Sequence, residues 1–513
     1  MMGSFPTEIL QRIFEHLETP ISLENWEPGH YRWDELPPPL SHLFHRIARP
    51  LIYRTVALRS KNGPSDSPMD KFMHVLCADP SIGHNIQGLQ VEPWLSDFGF
   101  DHFALQLSAS PENLDERQRR WLNMWTEAGN RNVALVALVA APRLQTLDYM
   151  DTGSFEGIAA YLSGRQDLED EYFATALGGD SESDNDDVPD EIGSEIASGN
   201  GDEDSESGDV PAGQQQSQLL GPASENPMSL LSEVRVGFRG YGNVLERVQK
   251  IEGVLLNPGL RILRLSAFRW TKYEVRAMKW NNVMSNITTL QLKNCLIDER
   301  GLANALRRCR LRHLHIALAG DQDVGANRHP ATLDLNEMGV ALRRYGQSLE
   351  SLDFDSTEFG DYIMVGHIGP LNELSRLRNL KICLQDLGEF DEEDEEDELD
   401  EQDEDNEAEL EMELRTLLPS TLESIHIRPS EKNGTIRVPL TLLTDEVFRG
   451  LRTVEVEGYV VFQDDTKTLE VPGWSKSFKS DMFRRDDMLR SSDEPAEFDY
   501  FVSVHFSRDA EVR

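Results

Sequence analysis

The segment Gly237-Phe-Arg-Gly240-Tyr-Gly242 comes closest to a cofactor-binding pattern. It follows an apolar run that predicts a strand, and it precedes Val244, Leu245 and Val248, which have helical spacing. A dinucleotide fingerprint needs glycines in the order G-x-G-x-x-G, because the backbone must approach the pyrophosphate closely. The third glycine position holds Leu245 here. The segment is therefore interpreted as a turn, and no cofactor is expected.

Metal-ligating and nucleophilic side chains form no known catalytic pattern. His42 and His45 share one helix face, but no cysteine or carboxylate set accompanies them. Four cysteines without a CxxC pair predict neither a disulfide framework nor a structural zinc site. Reduced thiols are typical of the cytoplasm and the nucleus. With no G-x-S-x-G, G-x-x-x-x-G-K-[ST] or H-E-x-x-H pattern, we expect no catalytic residue, no metal site and no enzymatic activity.

The formal net charge of −41 is concentrated in two acidic runs. Residues 180–209 contain 13 Asp and Glu and residues 389–413 contain 18, with no Lys or Arg in either, so the rest of the chain carries −10. Such runs predict solvated, disordered insertions, here 178–225 and 389–413. An acidic chain is not expected to bind nucleic-acid phosphates. No apolar run reaches the about 18 residues that span a membrane, so no membrane contact is expected.

The amino-terminal segment, 1–58, predicts a small helical unit. Pro6 suits the first turn of a helix, and an apolar stripe at helical spacing follows it, made by Ile9, Leu10, Ile13, Phe14 and Leu17. A second stripe ends at Pro50 and consists of Leu40, Leu43, Phe44 and Ile47. Residues 51–58, LIYRTVAL, are rich in β-branched and aromatic side chains and predict an exit strand.

This N-terminal unit resembles a known family. The residues FPTEILQRIFEHL…LSHLFHRIARPLIYRTVAL, at positions 4–58, are similar to the F-box of fungal F-box proteins. Phe5-Pro6 stands where the family has Leu-Pro. Between the two helices lies a longer segment with Trp26, Trp33 and a proline run, so the family's middle helix is expected to be shortened or shifted. The resemblance implies a face that docks a Skp-type adaptor, formed by Phe5, Pro6, Ile9, Leu10, Ile13, Phe14 and Leu17.

The remainder of the chain carries a repeat of the form aliphatic-x-x-aliphatic-x-aliphatic. It starts ten times, at Ile86, Leu144, Leu231, Leu260, Ile287, Leu311, Leu349, Leu377, Leu422 and Leu451. Five of the nine intervals fall within the period of leucine-rich repeats. The intervals from Leu144 to Leu231 and from Leu377 to Leu422 are longer, and they contain the two acidic runs. Insertions between the units of a repeat domain produce such spacing.

One unit, ITTLQLKNCLIDERGLANALRRCRLRHLHI, resembles the cysteine-containing repeat of F-box leucine-rich proteins. Ile287, Leu290 and Leu292 form its predicted strand, and Leu302 and Leu306 its helix stripe. Cys295 takes the turn position and Cys309 precedes the next strand, so both are expected to be buried structural thiols. A second pair, Trp121 and Trp125 at i and i+4, is expected to pack between repeats.

These patterns predict an α/β protein with a short helical F-box at 1–58 and an irregular leucine-rich-repeat solenoid at 59–513, interrupted by the acidic insertions. The resemblance implies a non-catalytic substrate-recognition subunit of an SCF-type cullin–RING ubiquitin ligase. In that interpretation the F-box docks the adaptor and the repeats bind a protein substrate. The alternative from charge alone is an acidic leucine-rich-repeat scaffold that binds basic partners such as histones. Salt sensitivity distinguishes the two interpretations.

Overall fold

The computed structural model describes residues 53–58, 68–91, 100–108, 114–127, 133–151, 155–177, 228–238, 245–279, 283–319, 332–356, 363–388, 414–428, 440–459, 470–484 and 498–508. The strands within these ranges are β1 Thr55–Leu58, β2 Gly88–Val91, β3 Thr146–Asp151, β4 Glu233–Phe238, β5 Glu246–Arg247, β6 Ile262–Ser266, β7 Phe268–Trp270, β8 Thr289–Ile297, β9 His313–Leu318, β10 Thr332–Asp334, β11 Ser351–Asp355, β12 Ile363–Val365, β13 Asn379–Cys383, β14 Ser424–Arg428, β15 Thr453–Tyr459, β16 Trp474–Arg484 and β17 Phe498–Arg508.

Helices connect many of these strands along the chain. The α-helices of the described ranges are α1 Pro68–Ala78, α2 Phe100–Ser108, α3 Glu116–Glu127, α4 Val133–Ala140, α5 Glu156–Ser163, α6 Gln166–Leu177, α7 Glu252–Leu255, α8 Lys272–Ala277, α9 Glu299–Arg308, α10 Leu335–Tyr345 and α11 Leu440–Thr444. Short 3-10 turns replace a helix at Pro80–Asn85, Val248–Ile251, Leu384–Asp386 and Glu446–Phe448. The predicted α/β class is confirmed.

The main sheet is largely parallel, and its strand order follows the chain. Hydrogen-bonded neighbours run β1-β2-β3-β4-β6-β8-β9-β11-β13-β14-β15, all in parallel register. Each of the ten predicted strands is found. The first aliphatic residue of each repeat precedes its strand and is buried, from Ile86 to Leu451. Because this buried residue anchors the turn before each strand, the repeat pattern locates the strands.

Within the described ranges the sheet does not close into a barrel. It begins with β1, the predicted exit strand, which pairs with β2. It therefore starts before residue 59, inside the segment assigned to the F-box. At the other end β17 pairs antiparallel with β15, and β16 pairs antiparallel with β17. The described part of the carboxyl-terminal segment thus extends the sheet with two long antiparallel strands.

One continuous core lies against one face of the sheet. The buried strand positions, such as Leu290 and Leu292, belong to the same apolar cluster as the buried helix positions, such as Leu302. Trp121 and Trp125 of α3 are fully buried in this cluster. Trp121 contacts Tyr161 of α5 and Phe173 of α6, with ring centroids 5.5 and 4.6 Å apart. The predicted packing role of the two tryptophans is confirmed.

The unit formed by β8 and α9 shows how strand and helix are joined. The Asp298 carboxylate caps α9 by accepting a hydrogen bond from the Gly301 N–H at 2.8 Å. A Cβ atom on Gly301 would lie 1.7 Å from the carbonyl oxygen of Trp270 in β7. Only glycine permits this approach, so the helix N-terminus rests directly on the backbone of the preceding unit.

Several sequence-based predictions lie outside the described residues. They include the helical part of the F-box, both acidic runs, His42, His45, Gly240 and Gly242. The helix expected after the glycine-rich segment begins later than its spacing predicts, with the 3-10 turn Val248–Ile251 and then α7. Glu246 and Arg247 form the short strand β5, which pairs with Phe268 and Arg269 of β7. Ladder hydrogen bonds to a neighbouring strand outweigh the local helical spacing there.

Candidate functional site on the polar face of the sheet

The face of the sheet opposite the core carries a continuous row of polar side chains. In each of ten strands, one residue lies between two buried neighbours. Its side chain points to the face opposite the core, because side chains alternate along a strand. In register across ten strands these residues are Gln90, Asp148, Arg235, Arg264, Gln291, His315, Asp353, Lys381, His426 and Glu455. We call this set the polar row. All ten are partly or fully exposed.

The amino-terminal half of the polar row contains two partly exposed arginines, Arg235 and Arg264, that are paired with carboxylates. Arg264 Nε lies 2.7 Å from the Glu233 carboxylate, and its Nη1 donates to Gln291 Oε1 at 2.5 Å. Arg235 Nη1 lies 3.6 Å from Asp148 Oδ2. Lys293, two residues beyond Gln291 on β8, is exposed. Cross-strand ion pairs thus hold two guanidinium groups on this part of the face.

The carboxyl-terminal end contains a denser ion-pair network around Arg428. The Arg428 side chain is only 9% exposed and reaches from β14 across β13 to β11. Its guanidinium lies 2.9 Å from Asp353 Oδ1 and 3.2 Å from Asp355 Oδ2, and it donates to the Phe354 carbonyl oxygen at 3.0 Å. His315 Nδ1 lies 2.6 Å from Asp353 Oδ2. Burial would raise the pKa of Asp353, but the His315 hydrogen bond and the Arg428 charge lower it below its usual value.

A buried carboxyl group lies behind this network. Asp386 is 5% exposed and accepts a hydrogen bond from the Ser356 hydroxyl at 2.8 Å. Burial raises the pKa of Asp386 to about 6, although the Ser356 hydrogen bond acts in the opposite direction. The nearby Asp355 carboxylate also raises this pKa. Asp353 on β11 and Asp386 in the 3-10 turn that follows β13 therefore have pKa values shifted in opposite directions.

His426 lies between two glutamates at the carboxyl-terminal end of the polar row. Its Nε2 is 2.9 Å from Glu457 Oε2, and its Nδ1 is 3.4 Å from Glu455 Oε2. The Ser503 hydroxyl of β17 donates to Glu455 Oε1 at 2.7 Å. Burial would raise the pKa of Glu457, but His426, Lys381 and Arg428 lower it below its usual value.

The adaptor-docking residues expected from the sequence are not part of this face. Phe5, Pro6, Ile9, Leu10, Ile13, Phe14 and Leu17 lie outside the described residues. The charged residues of the polar row were not singled out in the sequence. They occupy the unspecified positions of the repeat template, and a charged residue between two aliphatic ones is the signal that identifies them.

The prediction for the cysteines is confirmed. All four cysteines are buried and free of disulfides. The Cys295 thiol donates to the Leu265 carbonyl oxygen of the neighbouring unit at 3.7 Å. Burial raises the pKa of both Cys295 and Cys309 to about 12. Both thiols therefore stay protonated at neutral pH and act as packing groups.

Comparison with known proteins adds no assignment to this geometry. No family model matches the chain, and no curated protein matches it significantly. Within the described ranges, none of the helices has the length and apolar character needed to cross a membrane. The polar row therefore remains the feature on which a function can be argued. It holds charges of both signs, in exposed ion pairs at one end and in a more buried network at the other.

Proposed function

We propose that the chain is a non-catalytic substrate-recognition subunit of an SCF-type cullin–RING ubiquitin ligase. Its F-box, residues 1–58, docks a Skp-type adaptor, and the polar face of the sheet binds a protein substrate. The main observation in support of the recognition role is the polar row, whose residues come from ten strands in register. At a strand spacing of about 4.8 Å it extends over about 43 Å, which is the scale of a protein interface.

We interpret the parallel strands as the strand portions of a leucine-rich-repeat solenoid. Three observations support this interpretation. The strands pair in chain order, a buried aliphatic residue precedes each of the ten repeat strands, and the Cys295 thiol donates to the preceding unit. Repeat domains of this kind stack units that contact only their neighbours, and they bind partners through an extended strand face.

The connection between the two parts supports an adaptor role. The F-box resemblance ends in LIYRTVAL, and its last residues, Thr55–Leu58, are the first strand of the sheet. The described sheet thus begins within the last residues of the segment that resembles an F-box. A subunit that holds its substrate near the enzyme that carries ubiquitin contributes proximity and orientation, and it needs no chemistry of its own.

Co-purification with the adaptor tests this proposal. The apolar stripe of the first predicted helix offers side chains whose burial contributes about 1.5–3 kcal/mol each. We expect the full-length chain to retain a Skp-type adaptor at physiological salt, and an Ile9→Asp/Phe14→Asp variant to lose it. The matched control is Gln11→Asp/His16→Asp, which introduces two carboxylates between the stripe positions and should retain the adaptor.

Failure of the wild-type chain to retain the adaptor contradicts the ligase proposal. Equal retention by all three proteins moves the contact to another face of residues 1–58. Loss in both double variants attributes the effect to added negative charge and not to the stripe.

The charge of the chain favours a second candidate function, an acidic scaffold for basic partners such as histones. The 31 carboxylates of residues 180–209 and 389–413 form two polyanionic segments. Binding through such segments weakens steeply as salt is raised, because exposed charges are screened within about 10 Å at 0.1 M salt. A chain that binds histones at low salt, loses them on deletion of both segments and never retains the adaptor supports this candidate.

A further inference from the structure

We propose that His426, Glu455 and Glu457 form a binding site for a first-row divalent metal ion such as Zn²⁺. One ligand atom from each residue lies within 4.8 Å of the other two. The closest pair, His426 Nε2 and Glu457 Oε2, is 2.9 Å apart. In tetrahedral coordination, metal bonds of about 2.0–2.2 Å to imidazole and carboxylate place neighbouring ligand atoms about 3.3–3.6 Å apart. Small side-chain rotations therefore suffice to bring all three onto one ion.

The sheet itself positions the three ligands. Glu455 and Glu457 are two residues apart on β15, so they project from the same face. His426 lies on the adjacent strand β14, in register with Glu455. The Ser503 hydrogen bond fixes the other oxygen of Glu455. Such partners of a ligating carboxylate orient it toward its ion.

The cluster holds two carboxylates, and the cations that act on Glu457 besides His426 are Lys381 and Arg428. Arg428, the most buried cation of this face, is already engaged by Asp353, Asp355 and the Phe354 carbonyl oxygen. His426 Nε2 is shielded from solvent and has no hydrogen-bond partner of good geometry, although it lies close to Glu457 Oε2. A divalent ion between these atoms satisfies the imidazole nitrogen and balances the two carboxylates.

The donor set determines which ion fits. One imidazole and two carboxylates match Zn²⁺ and similar borderline ions, whereas Mg²⁺ prefers oxygen ligands and retains its water. The Glu455 side chain is 37% exposed, so one side of the site is open. Three protein ligands and one open position characterise a site that completes its coordination with water or with a group from a partner.

Zinc titration of the full-length protein tests the site. We expect calorimetry at pH 7.5, in the presence of excess Mg²⁺ to occupy the acidic runs, to show one saturable Zn²⁺ equivalent. His426→Gln and Glu457→Gln should each weaken that binding by more than about tenfold, because each removes one ligand. The matched control His315→Gln alters the other histidine–carboxylate pair of the polar row and should change affinity by less than about twofold.

A pH series and a fold check complete the experiment. Binding should weaken at pH 5.5, because protons compete for the imidazole nitrogen. Melting midpoints must show that the variants are folded, and the near-isosteric Glu457→Gln serves if His426→Gln is not. Absence of the saturable equivalent, or wild-type affinity in both ligand variants, overturns the proposal. Neither result bears on adaptor binding, which is tested separately by co-purification.

Discussion

Two arginines on strands of one sheet behave differently at the two ends of the polar face. Arg264 is 38% exposed and pairs with Glu233, itself 30% exposed. Arg428 is 9% exposed and joins two carboxylates and a backbone carbonyl on β11. Both arginines lie on parallel strands. The difference therefore comes from how many neighbouring strands the side chain spans and how much water it excludes.

The same sheet thus holds charged side chains in two different environments, one exposed and one buried. An exposed ion pair contributes about 0–1 kcal/mol and leaves its charges available to a partner. A buried network contributes little net energy over apolar side chains, but losing one member leaves the others desolvated and unpaired. The amino-terminal end of the face thus suits adaptable contacts, and the carboxyl-terminal end forms a rigid, preorganised surface.

The largest expected effect comes from removing the buried arginine. Arg428→Met keeps much of the apolar stem but removes the guanidinium that pairs with Asp353 and Asp355. We expect a loss of about 3 kcal/mol in the free energy of unfolding, because a broken buried ion pair costs about 3–5 kcal/mol and these carboxylates are partly exposed. Arg264→Met should cost less than about 1 kcal/mol. Urea unfolding at pH 7.5 measures both.

Similar costs for the two variants would remove the distinction between the ends. A further variant that combines Arg428→Met with Asp353→Asn and Asp355→Asn separates charge from packing. It should recover much of the lost stability, because no uncompensated charge remains. No recovery would assign the loss to packing of the arginine stem.

A smaller effect is expected from Asp386→Asn, and it depends on pH. The folded-state pKa of about 6 lies above the unfolded value of about 3.9. The unfolded chain releases this proton first, so the group lowers stability as pH rises through that window, and the full penalty is present above it. Between pH 5 and pH 7.5 the stability of the wild type should fall by roughly 1 kcal/mol more than that of Asp386→Asn.

Asp353→Asn is the control for this pH dependence. The pKa of Asp353 is lowered, so its contribution to stability is present above the unfolded pKa and is lost only as pH falls through the folded one. The protonation of Asp353 itself therefore adds no pH dependence between pH 5 and pH 7.5. Urea midpoints at both pH values decide the matter, and an unchanged slope for Asp386→Asn would contradict the raised pKa.

The smallest effect is expected from deleting residues 180–225 and 391–410. The first segment lies in the chain between β3 and β4 and the second between β13 and β14, and both strand pairs are joined directly by ladder hydrogen bonds. We expect the melting midpoint to change by less than about 2 °C, because no described core contact is removed. Separate deletions show whether either end of the face depends on its segment. Loss of the cooperative transition would show that the segments pack.

The amino-acid sequence determined the strand positions to a large extent. A strand buried on one face needs aliphatic residues two positions apart, and the turn before it needs a third, so the pattern at Leu349, Leu352 and Phe354 follows from burial alone. The resemblance to a cysteine-containing repeat predicted Cys295 and Cys309 as packing residues, and the i, i+4 spacing predicted the tryptophan pair. The strand predictions succeeded because each unit buries its aliphatic positions in the same way.

Only the tertiary structure decided which polar residues meet. Arg428 contacts Asp353 and Asp355 across an intervening strand, although it lies far from both in the chain. His426 meets Glu455 and Glu457 because two strands share a register, which sequence motifs for metal sites do not encode. The search for local motifs predicted no metal site, because such motifs consist of ligands that lie close together in the chain. The repeat template does not specify the residues between its aliphatic positions. Register and burial are properties of paired strands, so the chemistry of the polar face depends on the assembled sheet.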